Sequence, residues 1–190
     1  MHAIADPPLA RHRLSIDDYY RMSGAGILGE DDRVELIEGE IIDMAPIGST
    51  HAATVKRLAR ALMSAVGDYA IVSVQDPIRL DRHSEPQPDL ALLRPREDFY
   101  ASGHPGSADT LLVIEVAESS LEYDLRVKVP LYASHGVPEV WVLDLAGRAL
   151  HVYRQPAAGA YAQVEIIVQA RTLAPLALPA AAIELAGLLG

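Results

Sequence analysis

The chain contains no cysteine, which excludes disulfides, thiolate-bound zinc and thiol catalysis. Paired histidines at metal-binding spacing are missing too, a second argument against zinc. Positive charge is scarce: 16 Lys and Arg stand against 26 Asp and Glu, a formal net charge of −10. No basic stripe runs along the sequence to grip nucleic acid through many phosphates. Contact with such a substrate must then be local, metal-assisted or supplied by a partner. The opening residues MHAIADPPLARHRLS lack the apolar core of a signal peptide. Pro175, Pro179 and Glu184 break the apolar C-terminal stretch, so it does not read as a spanning helix. A cytoplasmic protein with no membrane partner is expected. Internal repeats are absent.

What is present is a hydrophobic fraction of 50 % over 190 residues, enough for one domain with a real core. Residues 1–13 read as a loose lead-in and 171–190 as an apolar tail that packs on the core or on a partner subunit.

The organising stretch is LLVIEVAESSLEYDLRVKVPLYASHGVPEVWVLDL, residues 111–145. Two short apolar runs flank a helical segment, the pattern of parallel strands joined by a crossover, and predict an α/β fold. Glu115 interrupts the first run. A carboxylate on so apolar a strand must be paired, protonated or metal-bound, because burying a lone charge costs several kcal/mol or more.

Along the rest of the chain, Ser15 and Asp18 mark a helix start. Residues 34–44, VELIEGEIIDM, predict a hairpin whose Glu35, Glu38 and Glu40 face solvent by their alternation. Residues 50–67 predict a helix capped by Ser49 or Thr50, with Val55, Leu58, Ala59, Leu62, Met63 and Val66 on its inner face and Lys56, Arg57 and Arg60 outside it. His51, in its first turn, is either an ordinary polar residue or part of a site. A strand is expected within 69–80, bent at Asp76-Pro77. Asp89 opens an apolar run, 90–93, where an acid lies at the end of the sheet. A final hairpin is expected over 149–154 and 161–169.

Adjacent strands would bring Asp89 and Glu115 together, and two close carboxylates ionise cheaply only around a cation. Oxygen ligands of this kind suit Mg²⁺ or Mn²⁺. Asp124, Lys128 and Tyr132 follow at helical spacing. Lys128 either pairs with Asp124 on the surface, worth about 0.3–0.5 kcal/mol, or reaches back to the metal and its water. Pro130 threatens a kink or a delayed helix start. A further alternative pairs Asp89 and Glu115 with arginines.

Gln87-Pro88-Asp89, Ile114-Glu115-Val116, Asp124…Lys128…Tyr132 and Gly136-Val137-Pro138 occur in an order that resembles the Uma-type restriction endonucleases of the PD-(D/E)XK superfamily. Val34 to Glu40 and His51 resemble that family's opening motifs. The resemblance implies a restriction-endonuclease-like α-β-β-β-α-β core, a mixed sheet with flanking helices, and extra N- and C-terminal hairpins. It implies a Mg²⁺-dependent endonuclease acting on nucleic acid, with DNA the expected substrate. Asp89, Glu115 and the carbonyl of Val116 would be metal ligands, and Lys128 would replace the lysine that the superfamily places where Ala117 stands. Glu35, His51, Gln87, Asp124 and Tyr132 are supporting candidates. A homodimer is expected, since cutting two strands calls for two sites and the tail offers apolar surface. The rival expectation, prompted by Ala117 and the net charge, is a catalytically inactive nucleic-acid- or protein-binding module on the same fold.

Overall fold

The computed structural model describes residues 11–29 and 31–189. Its core is a six-stranded sheet in the order β3-β4-β5-β6-β7-β8, with β3 Ile71–Val74, β4 Leu90–Leu93, β5 Thr110–Ala117, β6 Glu139–Asp144, β7 Ala149–Ala157 and β8 Ala160–Ile167. Only β5 and β6 pair in parallel; every other neighbour is antiparallel. The parallel pair requires a crossover, and the segment 121–134 supplies it. On β5, Leu112, Ile114 and Val116 face the helix α2 (Ser49–Val66), while Val113 and Ala117 face the crossover. Taken from α2 through β6, the order is the expected α-β-β-β-α-β core in a mixed sheet, flanked by hairpins.

Local chemistry sets the element ends. Helix α1 (Ile16–Gly24) starts on a capping box in which Ser15 and Asp18 satisfy each other's backbone N–H groups. Strands β1 (Val34–Ile37) and β2 (Glu40–Asp43) turn through Glu38 and Gly39, whose φ values of 51° and 83° suit a two-residue hairpin. Only glycine fits the second position: a Cβ there would stand 2.6 Å from the Cβ of Arg13. Of the expected lead-in, residues 1–10 lie outside the described residues, while Arg11 and Arg13 pair with Glu40 and Glu38 along this hairpin.

Three local expectations need correction. The cap of α2 is Gly48, with no side-chain bond, because the helix begins one residue before the polar pair could serve. Met63 is 51 % exposed; at 100° per residue it sits at the edge of the stripe that buries its neighbours. The strand expected within 69–80 is Ile71–Val74, but it ends before the expected bend at Asp76-Pro77, since Gln75 turns to φ 56° and Pro77 follows.

The tail packs on its own sheet. Leu173, Ala181, Ile183 and Leu185 join the core under α2, through the short hairpin of β9 (Thr172–Leu173) and β10 (Ile183–Glu184). The apolar surface expected to seek a partner is therefore mostly covered, with Leu176 still 54 % exposed. Glu139, fully buried, knots this arrangement. One oxygen accepts from Trp141 Nε1 at 2.9 Å and from Arg154 at 2.7 Å; the other accepts the Leu176 N–H at 2.6 Å. Glu139→Ala strands the Arg154 charge and should destabilise the protein by about 3–5 kcal/mol. Urea midpoints test this, and a loss below about 1 kcal/mol would mean that apolar contacts alone dock the tail.

Candidate active site

The β4–β5 register, Leu90 opposite Ile114, carries on to set Asp89 opposite Glu115 at the end of the sheet. Asp89 Oδ2 accepts the Val116 N–H at 2.9 Å and lies 2.9 Å from His51 Nε2; Oδ1 accepts from Gln75 Nε2 at 3.2 Å. Glu115 is 3 % exposed, and its Oε1 accepts the Tyr132 hydroxyl at 2.7 Å. Neither carboxylate pairs with an arginine among the described residues, which removes that alternative.

The crossover is a short helix α3 (Leu121–Tyr123), one π turn over Asp124–Lys128, and helix α4 (Val129–Ser134). Pro130 explains the π turn. It has no N–H for the preceding carbonyls, and a widened turn, with Val129 N–H on Asp124 O, lets the helix continue without a break. The wider turn also keeps Asp124 and Lys128 on the buried side. Lys128 is not a surface residue: its Nζ lies 3.1 Å from Glu35 Oε2 and 3.4 Å from Glu115 Oε1, in a side chain 6 % exposed. Its expected surface partner, Asp124, is itself buried and accepts from Ser120 Oγ at 2.7 Å instead.

Glu35 corrects the hairpin reading. It is 2 % exposed because β1 is buried along its whole length, so alternation does not point it to solvent. Its Oε2 accepts the Gln87 N–H at 3.1 Å, which is how Gln87 enters the site. His51 lines the same cleft, with its Nδ1 buried and unpartnered.

The electrostatics follow from crowding acids around one ammonium. Burial pushes Glu115 up to about 8; Lys128 opposes this, and Asp124, Asp89 and Glu35 reinforce it. Asp124 is also raised, mainly by burial. For Lys128, burial works against the charge, but Glu115, Glu35 and Asp124 outweigh it and hold its pKa above the ordinary lysine value. His51 is raised by its bond to Asp89, against the effect of burial. Glu35, Asp89, Glu115 and Asp124 thus crowd the Lys128 ammonium, and burial favours the protonated form of Glu115, a proton that a metal ion could replace.

The donor set fits the divalent ion that the resemblance implies: carboxylate oxygens with no sulfur, as Mg²⁺ and Mn²⁺ favour. Among the described residues no three His, Asp or Glu side chains converge closely enough to hold an ion alone. Asp89 and Glu115 would therefore share it with water, the arrangement typical of Mg²⁺.

The cleft measures about 250 Å³ and lies between the β1–β2 hairpin, the start of α2 and the crossover. It brings Glu35, His51, Gln87, Asp89, Glu115, Val116, Asp124 and Lys128 together. Tyr132 stands outside its lining and touches Glu115 from within the core. Sequence reasoning missed Gln75, Tyr123 and Arg33. Gln75 was findable, since the β3–β4 register, Val74 opposite Leu90, sets it opposite Asp89. Tyr123 reaches the lining through the turn before the π segment, for which the sequence offers no signal.

No curated protein matches the chain. A crystal structure of a putative nuclease belonging to DUF820, from Anabaena variabilis ATCC 29413, is similar with a TM-score of 0.66 at 19 % identity. The likeness covers 87 % of this chain and 91 % of that one, and bears on fold alone. The family described as Uma2, putative restriction endonuclease, matches residues 16–186. With its fold in agreement and nearly its whole length matched, the chain belongs to that family.

Proposed function

We propose that this single nuclease-like domain is a Mg²⁺- or Mn²⁺-dependent endonuclease that hydrolyses phosphodiester bonds of DNA in the cytoplasm. The observation that carries the reading is the buried contact of Lys128 Nζ with Glu115, beside Asp89, at the wall of one cleft. A divalent ion held by Asp89 and Glu115, with the Val116 carbonyl as third ligand, would supply Lewis acidity and a water of lowered pKa. The Lys128 ammonium would stabilise negative charge developing on the phosphoryl group, in a site where little water screens it. Tyr132 fixes the Glu115 carboxyl by donating to it, and the Val116 N–H with His51 fixes Asp89.

Asp89→Asn should abolish Mg²⁺-dependent cleavage of DNA and remove the Mn²⁺ site in calorimetry. Cleavage that survives the substitution would overturn the reading. The rival, an inactive binding module, rests on Ala117; it gains if the unaltered protein takes up no Mn²⁺. A homodimer belongs with the nuclease reading. Its support is now the row Val164, Ile166 and Val168, exposed by 53–65 % on and just beyond edge strand β8. Light scattering that returns 20.5 kDa rather than twice that mass would count against it.

A further inference from the structure

We infer that the outward face of α2 is the track on which duplex DNA lies as it leaves the cleft. The inference rests on the nuclease reading and adds to it the surface that holds the flanking backbone. Three observations lead there. First, α2 carries no carboxylate along its 18 residues, in a protein of net charge −10. Its solvent side instead presents Lys56, Arg57 and Arg60, all exposed.

Second, these three cations form no ion pair among the described residues. Elsewhere Arg11 pairs with Glu40, Arg96 with Asp98, Arg126 with Glu122 and Arg171 with Glu165, while Arg33, Arg82 and Arg94 are exposed single cations without an ion pair among the described residues. Only α2 gathers three unpaired cations within five residues of one element among the described residues. An ordinary solvated face in so acidic a chain would have drawn carboxylates at i±3 or i±4, and none is there.

Third, the helix begins at the cleft. His51, in its first turn, lies 2.9 Å from Asp89. At a rise of about 1.5 Å per residue, Lys56 follows His51 by roughly 7–8 Å along the axis and Arg60 by roughly 13–14 Å. At about 100° per residue all three stand roughly 120° or more around the axis from His51, so they would meet backbone that passes over the outer side of the helix after it leaves the cleft. Arg33 supplies the matching charge at the rim: it is exposed, lines the cleft, and spends one N–H on the Ala45 carbonyl at 2.9 Å. Its remaining donors are disposed for a phosphate. The cleft is acidic and suits a cation; the helix beside it is basic and suits the polyanion that arrives with it. A duplex fits this division, because its charge repeats along the direction in which the cations are spaced.

The test measures binding rather than cleavage. A labelled duplex is titrated by anisotropy in Ca²⁺, from low to moderate salt, with the full chain and with Lys56→Glu/Arg57→Glu/Arg60→Glu. Each lost phosphate contact lowers the log–log salt slope by about 0.9, so the triple variant should bind more weakly with a slope shallower by about 2–3. Arg94→Glu/Arg96→Glu, beyond the far end of β4 from Asp89, makes two of the same charge reversals away from α2 and should leave the slope unchanged. If the triple variant keeps the wild-type affinity and slope, or if the control loses as much, the inference fails while the nuclease reading stands. If the unaltered chain binds anionic vesicles and no duplex, both fail.

Discussion

Lys128→Ala is expected to slow phosphodiester cleavage by about a hundredfold or more. In the cation-free protein at pH 8 it should also cost about 3–5 kcal/mol of stability. The second figure departs from what an exposed helix pair would give, which is below about 1 kcal/mol. The difference is burial: the ammonium lies against Glu35 and Glu115, both nearly inaccessible, and its removal leaves their charge uncompensated. Glu115 then takes up a proton more readily, so the loss should shrink at pH 5, where protonation of Glu115 removes its part of the stranded charge. Denaturant midpoints in chelator at the two pH values, beside single-turnover rates, separate the two effects. Midpoint shifts below about 1 kcal/mol at both would show a solvated lysine. Lys128→Arg keeps the charge but replaces a compact ammonium by a planar fork, and should restore only part of either loss.

Glu115→Gln should move activity and stability in opposite directions. Removing one of two anionic ligands should lower the cation-dependent rate by about a thousandfold, roughly 4 kcal/mol of transition-state stabilisation. Stability is governed by the proton. The carboxyl has an ordinary value of 4.5 when the chain is unfolded and about 8 when it is folded. Between those limits the folded state holds a proton that the unfolded state releases, so raising the pH across this window destabilises the native protein. At about 1.4 kcal/mol for each tenfold change in proton affinity, the full span is about 4–5 kcal/mol. Gln mimics the protonated form and still accepts from Tyr132. The variant should therefore lose much less stability than the parent between pH 5 and pH 8, with a residual slope from the raised Asp124 and His51, and should melt above the unaltered protein at pH 8 in chelator. A variant that follows the same pH slope as the parent would place the titrating proton elsewhere. The site is a local cost to the fold, kept for what it binds.

Much of this was legible in the residues because strand order is. An acid opening one apolar run and an acid inside the next suffice to predict that Asp89 and Glu115 meet once the strands pair. The βαβ unit likewise follows from two apolar runs and the segment between them. Glu35 was misread for a physical reason. Alternation assumes a strand with one wet face, and β1 has none, since Tyr123 and Lys128 of the crossover cover the side that carries Glu35. Lys128 could be placed on the correct helix but not at the correct depth. Its burial comes from the π turn, which answers to Pro130 and leaves no periodicity of its own. Gln75 was hidden by an unremarkable spacing, although the hairpin register would have exposed it.

The knot at Glu139 also makes the protein report on itself. Trp141 is the chain's one tryptophan; it is fully buried, with its indole N–H on the same carboxylate oxygen that holds Arg154. The other oxygen of that carboxylate holds the backbone of the tail. Its fluorescence is therefore tied to whether the C-terminal segment is docked on the sheet. Emission should be blue-shifted in the native protein, redden when the tail lifts away, and stay still when a cation binds at Glu115, whose side chain points to the other face of the sheet. One optical signal, with no label attached, thus follows closure of the core independently of what happens at the acids.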